Sequence, residues 1–155
     1  MMKSNKIALF AILLWLATIL VFAWFFIRGN TVAGTDNRTA VVLGVGERTL
    51  ILSEMRGLLA GTQGILEGIS HNDAKQIAQA ARAVGMASAA DVNPVLMAKL
   101  PLPFKQLGIN VHRDMDDLAQ AAENGKPAAE LQAMLTGTLS KCVACHAAWQ
   151  IATGK

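Results

Sequence analysis

The sequence predicts an all-α protein in which one N-terminal transmembrane helix precedes an antiparallel four-helix bundle. Three observations lead to this prediction. An uninterrupted apolar run fills residues 7–27, and from Glu47 onwards the sequence is alanine-rich with apolar residues at helical spacing. Hydrophobic residues make up 53% of the 155 residues and charged residues only 16%, and the mean hydropathy is +0.38. This composition excludes a disordered chain and indicates that part of the chain is not solvated by water.

Residues 1–28 are predicted to form a transmembrane anchor. The run from Ile7 to Ile27 contains no charged residue, glycine or proline. A helix of this length rises about 1.5 Å per residue and spans the roughly 30 Å of a bilayer core. A cleaved signal peptide is the alternative, but its apolar core is usually about 7–15 residues long and ends in small residues. This run ends in the bulky sequence WFFIR, and Lys3 and Lys6 favour a cytoplasmic N-terminus.

Residues 29–46 are interpreted as a linker and residues 47–155 as one folded helical domain. The linker is rich in Gly, Thr and Asn, with a brief apolar patch near its end. Beyond the anchor, from Gly29 to Lys155, Lys and Arg balance Asp and Glu at eleven each. The net charge of +3 therefore comes from the residues that flank the apolar run, and a nucleic-acid partner is not expected.

Four main helices are predicted within this domain. Their approximate bounds are 47–69, 73–89, 103–124 and 127–151, with at most a short helical turn at 95–99. Asn72 can cap the start of the second helix, and Gly125 stops the third. Prolines break the chain before the third helix. Because the connections within each pair of helices are short, neighbouring helices should run antiparallel.

The residues most informative about chemistry are 142–146, which read Cys-Val-Ala-Cys-His. This C-x-x-C-H pattern is that of c-type haem attachment. On a helix, Cys142, Cys145 and His146 fall at positions i, i+3 and i+4 and share one face. Both sulfur atoms can then form thioethers with the haem vinyl groups while the imidazole coordinates the iron. One covalently attached haem c is therefore predicted, with His146 as an iron ligand.

Three other interpretations of the cysteine pair are less favourable. A thioredoxin-like redox pair needs a βαβ context, which the sequence does not show. A zinc site needs more ligands, and His71 and His112 stand at unsuitable spacings. A disulfide between these cysteines would be strained within a helix.

A C-x-x-C-H motif in the last helix, close to the end of the chain, resembles the class II cytochromes c, the cytochrome c′ family. The resemblance covers about residues 47–155 and implies a four-helix bundle with haem between the helices. It also implies a periplasmic domain, because haem is attached to c-type cytochromes outside the bacterial cytoplasmic membrane. The N-terminal anchor departs from the usual soluble member of the family.

The resemblance implies that the first helix of the bundle covers the distal side of the haem. High-spin members place an apolar side chain there, and low-spin members place a methionine that ligates iron. Leu52 and Met55 share a helix face, and either could occupy this position. Met55 is predicted to be the sixth ligand of the iron, and Leu52 over an open iron is the alternative. Family members often carry an arginine that pairs with a haem propionate, for which Arg48 and Arg56 are the candidates. His112 is expected to be an exposed or helix-capping residue.

The function predicted from these residues is single-electron transfer by a membrane-anchored periplasmic cytochrome. Redox proteins of a periplasmic electron-transfer chain are the expected partners, and a homodimer or a membrane complex is possible. An enzyme is not predicted, since no acid–base pair or activated nucleophile is visible. Two alternatives stay open: a five-coordinate haem protein that binds nitric oxide or carbon monoxide, and a haem subunit of a larger membrane complex.

Overall fold

The structure is a computed structural model that describes residues 2–89 and 93–154, with side chains from residue 5 onwards. The chain is mainly helical, as the sequence predicts. The six α-helices in the described residues are α1 (Met2–Arg28), α2 (Val45–His71), α3 (Ala74–Arg82), α4 (Pro94–Lys99), α5 (Leu102–Glu123) and α6 (Ala128–Ala148). A short 3-10 helix, Met86–Ala89, follows α3. The chain also contains a small sheet, which the all-α prediction did not include.

The first helix is long and apolar enough to cross a membrane. Within its span from Asn5 to Arg28, an 18-residue window has a mean hydropathy of 2.6, and the residues along this span are exposed. Exposed Leu, Ile, Phe and Trp side chains over this length are unfavourable in water. Length and composition therefore agree with the predicted anchor at residues 1–28.

The segment expected to be a linker is folded. Residues 29–46 contain β1 (Thr31–Ala33) and β2 (Thr39–Leu43), which pair antiparallel as a hairpin. A third strand, β3 (Trp149–Thr153), pairs in parallel with β2. Val41 is fully buried, because its side chain packs in an apolar cluster with Ile51, Leu96 and Phe104. The fourth predicted helix corresponds to α6. Because β3 begins at Trp149, α6 ends at Ala148, three residues before the predicted end near residue 151.

The end of the first helix is joined directly to the domain. Gly29 has φ +62°, and a Cβ atom at this position would lie 2.5 Å from the Lys99 carbonyl oxygen. The Asn30 N–H donates to that same carbonyl (2.7 Å), and the Asn30 side-chain amide donates to the Val42 carbonyl (2.8 Å). The Val42 N–H in turn donates to the Asn30 carbonyl (2.8 Å). These bonds attach the end of α1 to both α4 and the sheet.

Capping residues mark both ends of α2 and the start of α3. Glu47 accepts the Gly44 N–H (2.8 Å) at the start of α2 and also binds the Lys99 ammonium (2.6 Å). The Lys99 ammonium is the main cause that holds the pKa of the Glu47 carboxyl below its usual value. Asn72 ends α2 in the left-handed conformation, and Asp73 accepts the Gln76 N–H (2.9 Å) to start α3.

The main core lies between α2, α3, α5 and α6. Its largest fully buried side chains are Ile65, Ile77, Met115, Leu118, Leu131 and Leu135. Small residues let α2 and the end of α3 approach closely, since a Cβ atom on Gly61 would lie 2.6 Å from a Val84 methyl group. A second apolar cluster joins the sheet to α2, α4 and α5. The two clusters hold the helical domain and the hairpin together as one structure.

Two leucines on α6 provide a test of this core. Leu131 is 2% exposed, and Leu139, two turns further along the helix, is 36% exposed. Leu131→Ala should lower the free energy of unfolding by about 2–5 kcal/mol, because it leaves a cavity among packed side chains. Leu139→Ala should lower it by about 0.5 kcal/mol or less. Chemical denaturation of the full chain in mild detergent, followed by circular dichroism, measures both values; equal effects would contradict this arrangement.

Candidate functional site

The cysteine motif lies on the last two turns of α6. Cys142 and Cys145 are free thiols, each half-buried, and His146 is exposed. All three residues line the same pocket, as their helical spacing predicts. Burial raises the pKa of both thiols, and the neighbouring Cys142 adds to the effect on Cys145. At neutral pH both groups are therefore protonated thiols rather than thiolates.

The pocket that the motif lines is open and mainly apolar. It has a volume of about 290 Å³, just below the range of about 300–1,000 Å³ found for ligand pockets. We call it the larger pocket; besides the motif, its apolar walls come from α2, α4 and α5 and include Ile51, Leu58, Met97, Leu100, Phe104 and Val111. A smaller pocket of about 160 Å³ adjoins it and shares Met55, Phe104, Cys145 and His146. The two pockets together form an apolar cleft along the motif.

Met55 lies on α2, in both pockets, together with Cys145 and His146. It is half-buried and packs against the second apolar cluster. Leu52, one turn earlier, lines the smaller pocket. Met86 and Met97 also line the larger pocket, which gives this cleft three thioether sulfur atoms. The structure therefore brings both predicted distal candidates to the cleft, Met55 in both pockets and Leu52 in the smaller one.

The predicted arginines are placed differently. Arg48 is half-buried and Arg56 is exposed, and neither residue lines the larger or the smaller pocket. Their predicted pairing with a haem propionate therefore stays a prediction that the pocket walls do not support.

Two lysines line the larger pocket instead. Lys141 is paired with the Asp114 carboxylate (2.5 Å), across α6 and α5. Lys105 is buried on α5; its ammonium donates to the Phe26 carbonyl at the end of α1 (3.3 Å) and lies 3.7 Å from the centre of the Phe26 ring. Burial lowers the pKa of Lys105. Sequence analysis missed Lys105, because a lysine beside an apolar helix stripe usually extends into solvent.

His112 is buried, which corrects the expectation of an exposed or helix-capping residue. Its Nδ1 atom lies 2.8 Å from the carbonyl oxygen of Val84, in the turn after α3. A carbonyl oxygen only accepts, so Nδ1 carries the proton in the neutral ring. The ring and Glu54 both line the larger pocket. Burial raises the pKa of the Glu54 carboxyl, and the nearby His112 lowers it in part. The turn after α3 supplies the partner that makes burial of this histidine possible.

Arg38, in the turn between β1 and β2, reaches the end of α6. Its guanidinium lies 3.3 Å from the His146 carbonyl oxygen and 3.5 Å from that of Trp149. The same guanidinium binds the Asp36 carboxylate at 2.6–2.8 Å. Sequence analysis missed this contact, because Arg38 and His146 are 108 residues apart and Arg38 was assigned to a linker. The available signal was the β-branched run Thr39–Leu43, which is typical of a strand.

Comparisons with protein-family models, with curated proteins and with solved structures found no match to this chain. Within residues 2–89 and 93–154, no three or more His, Cys, Asp and Glu side chains are grouped in a way that could hold a bare metal ion. What the structure brings together is two free thiols and an imidazole on α6, facing an apolar cleft with a thioether on α2. This donor set is suited to the covalent attachment of an apolar, metal-containing prosthetic group.

Proposed function

We propose that this protein is a membrane-anchored c-type cytochrome that carries single electrons. The observation that most directly supports the proposal is that Cys142, Cys145, His146 and Met55 line one apolar pocket. A haem group is largely apolar, so its burial in such a pocket is favourable. No enzymatic reaction of the protein itself is proposed.

In this proposal each residue has a distinct role. The thiols of Cys142 and Cys145 would hold the haem through thioethers; addition of each S–H across one vinyl double bond would put sulfur on one carbon and hydrogen on the other, with no oxidant consumed. Both cysteines are free rather than joined in a disulfide, which this addition requires. The His146 imidazole and the Met55 thioether would ligate the iron, a ligand pair that raises the reduction potential. Haem supplies the redox chemistry, because its iron takes up and releases one electron.

We further propose that α2, α3, α5 and α6 form the four-helix bundle of a class II cytochrome c. The main core between these four helices supports this assignment. The haem attachment motif favours a location in the bacterial cytoplasmic membrane, with α1 as a single-pass anchor and the domain in the periplasm. Lys3 and Lys6 support this orientation, since basic residues concentrate on the cytoplasmic side.

The position of Leu52 supports a second candidate function. It lines the smaller pocket together with Met55 and His146, so a modest shift of α2 would place an apolar side chain over the iron. The protein would then bind nitric oxide or carbon monoxide at a five-coordinate haem. The joined end of α1 also fits the alternative of a haem subunit held in a larger membrane complex.

Absorption spectra of the full-length protein test the proposal. The protein is produced in a bacterium that attaches haem c, purified in mild detergent, and measured oxidised, reduced, and reduced with carbon monoxide. We expect low-spin spectra that carbon monoxide does not change, with a methionine–iron charge-transfer band in the oxidised form. A high-spin spectrum that shifts with carbon monoxide would favour gas binding. Protein without covalent haem would contradict both functions.

A further inference from the structure

We infer that Arg38 positions His146, the proposed iron ligand, and that Arg38 and Asp36 shift the reduction potential of the iron in opposite directions. The inference rests on the proposed function, because it takes His146 as the iron ligand. It assigns a role in the haem site to a segment that lies outside the helical domain.

The contact occurs where α6 leaves backbone groups without partners. This helix ends at Ala148, so the His146 carbonyl is among the last four carbonyls, which lack donors within a helix. The Arg38 guanidinium provides a donor 3.3 Å from this oxygen and lies 3.5 Å from the Trp149 carbonyl. Arg38 therefore restrains the backbone at His146 and at Trp149, the residue that follows the end of α6.

Arg38 is itself held in place from two directions. The Asp36 carboxylate accepts from its Nε atom (2.8 Å) and its Nη2 atom (2.6 Å). The next residue, Thr39, is opposite Trp149 in the parallel pairing of β2 with β3. The strand register therefore places the hairpin turn directly at the end of α6. A guanidinium fixed in this way loses little additional side-chain entropy when it binds the carbonyl.

Arg38 brings a positive charge to the pocket wall that His146 also lines, and Asp36 places the opposing charge in contact with Arg38. Arg38 lines the smaller pocket with His146, and it is only partly exposed. Oxidised iron has one more positive charge than reduced iron, so a nearby cation favours the reduced state and a nearby carboxylate favours the oxidised state. Because Arg38 and Asp36 form a pair, removal of either charge leaves the other unopposed.

Four variants of the full, haem-loaded protein separate position from charge. Arg38→Gln should lower the reduction potential, and Asp36→Asn should raise it. Arg38→Lys keeps the charge but loses the planar fork, so its potential should stay near that of the wild type. The g values of the oxidised protein in electron paramagnetic resonance, which respond to the orientation of the axial imidazole, should shift in Arg38→Gln and Arg38→Lys. Arg82→Gln is the matched control, because Arg82 forms an exposed pair with Glu123 and lines neither pocket.

The outcomes distinguish this inference from the proposed function. Wild-type protein without covalent haem would contradict the proposed function. Haem-loaded protein in which Arg38→Gln and Asp36→Asn leave the potential unchanged would overturn the electrostatic part of the inference. Unchanged g values in Arg38→Lys would overturn the positioning part. If Arg38→Gln fails to fold, Asp36→Asn still tests the charge effect and Arg38→Lys still tests the positioning.

Discussion

Replacement of Cys142 and Cys145 together by serine is expected to abolish covalent haem attachment. Serine keeps the size and the helical position of each side chain, but its hydroxyl does not form the thioether. Both thiols line the larger pocket, and they are the two cysteines of the chain, so no other residue can replace them. The haem should then be lost on denaturation. Haem staining of a denaturing gel and the intact mass measure this loss.

Single replacements and a neighbouring control sharpen this experiment. Cys142→Ser or Cys145→Ser should leave one thioether, with haem still attached at lower yield and a shifted band in the reduced spectrum. Ala144→Ser introduces the same hydroxyl within the same turn, at an exposed position, and should retain the wild-type amount of haem. A double variant that keeps its haem through denaturation would refute attachment through these thiols.

Replacement of Met55 by alanine is expected to open the iron to external ligands. The Met55 side chain lies in both pockets with His146, where its thioether is the proposed sixth ligand. Its loss should convert nearly all of the protein from low spin to high spin, remove the methionine–iron band, and make the reduced form bind carbon monoxide. The reduction potential should fall, because methionine ligation favours reduced iron.

The other methionines of the larger pocket are the controls for this result. Met97→Ala and Met86→Ala remove a thioether from the same pocket and should leave the iron low-spin. If Met97→Ala or Met86→Ala opens the iron and Met55→Ala does not, the ligand is on α4 or the 3-10 helix. Binding of carbon monoxide by the wild type as readily as by Met55→Ala would favour the alternative in which Leu52 covers a five-coordinate iron.

Three of the four predicted helices lie close to observed ones, because their signals are local. The second is the exception: predicted at 73–89, it ends at Arg82 as α3, and the 3-10 helix Met86–Ala89 follows it. The third predicted helix, residues 103–124, is close to the observed α5, since prolines precede it and Gly125 follows with φ +72°. The first predicted helix is extended by two residues at each end. Asn72 marks its C-terminal boundary, where it adopts φ +53°. Capping residues and helix breakers act over one turn, so they can be identified without tertiary structure.

The sheet and the surroundings of the cleft were not predictable in the same way. The strand β3 pairs with β2 from the other end of the chain, and such parallel pairing depends on contacts that local patterns do not encode. The burial of His112 depends on the Val84 carbonyl, and that of Lys105 on the end of α1. For the cysteine motif, spacing alone predicted that the three side chains share a face, and the pocket places them together.

The direct junction at Gly29 and Asn30 determines how far the domain can travel from its anchor. A flexible segment of 18 residues would give a root-mean-square reach of about 21–25 Å, from about 5–6 Å multiplied by the square root of its length. The bonds from Asn30 to Lys99 and Val42 remove this freedom. In a membrane the domain would diffuse laterally and rotate about the axis of the anchor, while the distance of the cleft from the lipid surface stays constant. If the protein carries electrons as proposed, its donor or acceptor has to present a redox centre at that height, because no flexible segment carries the domain towards it.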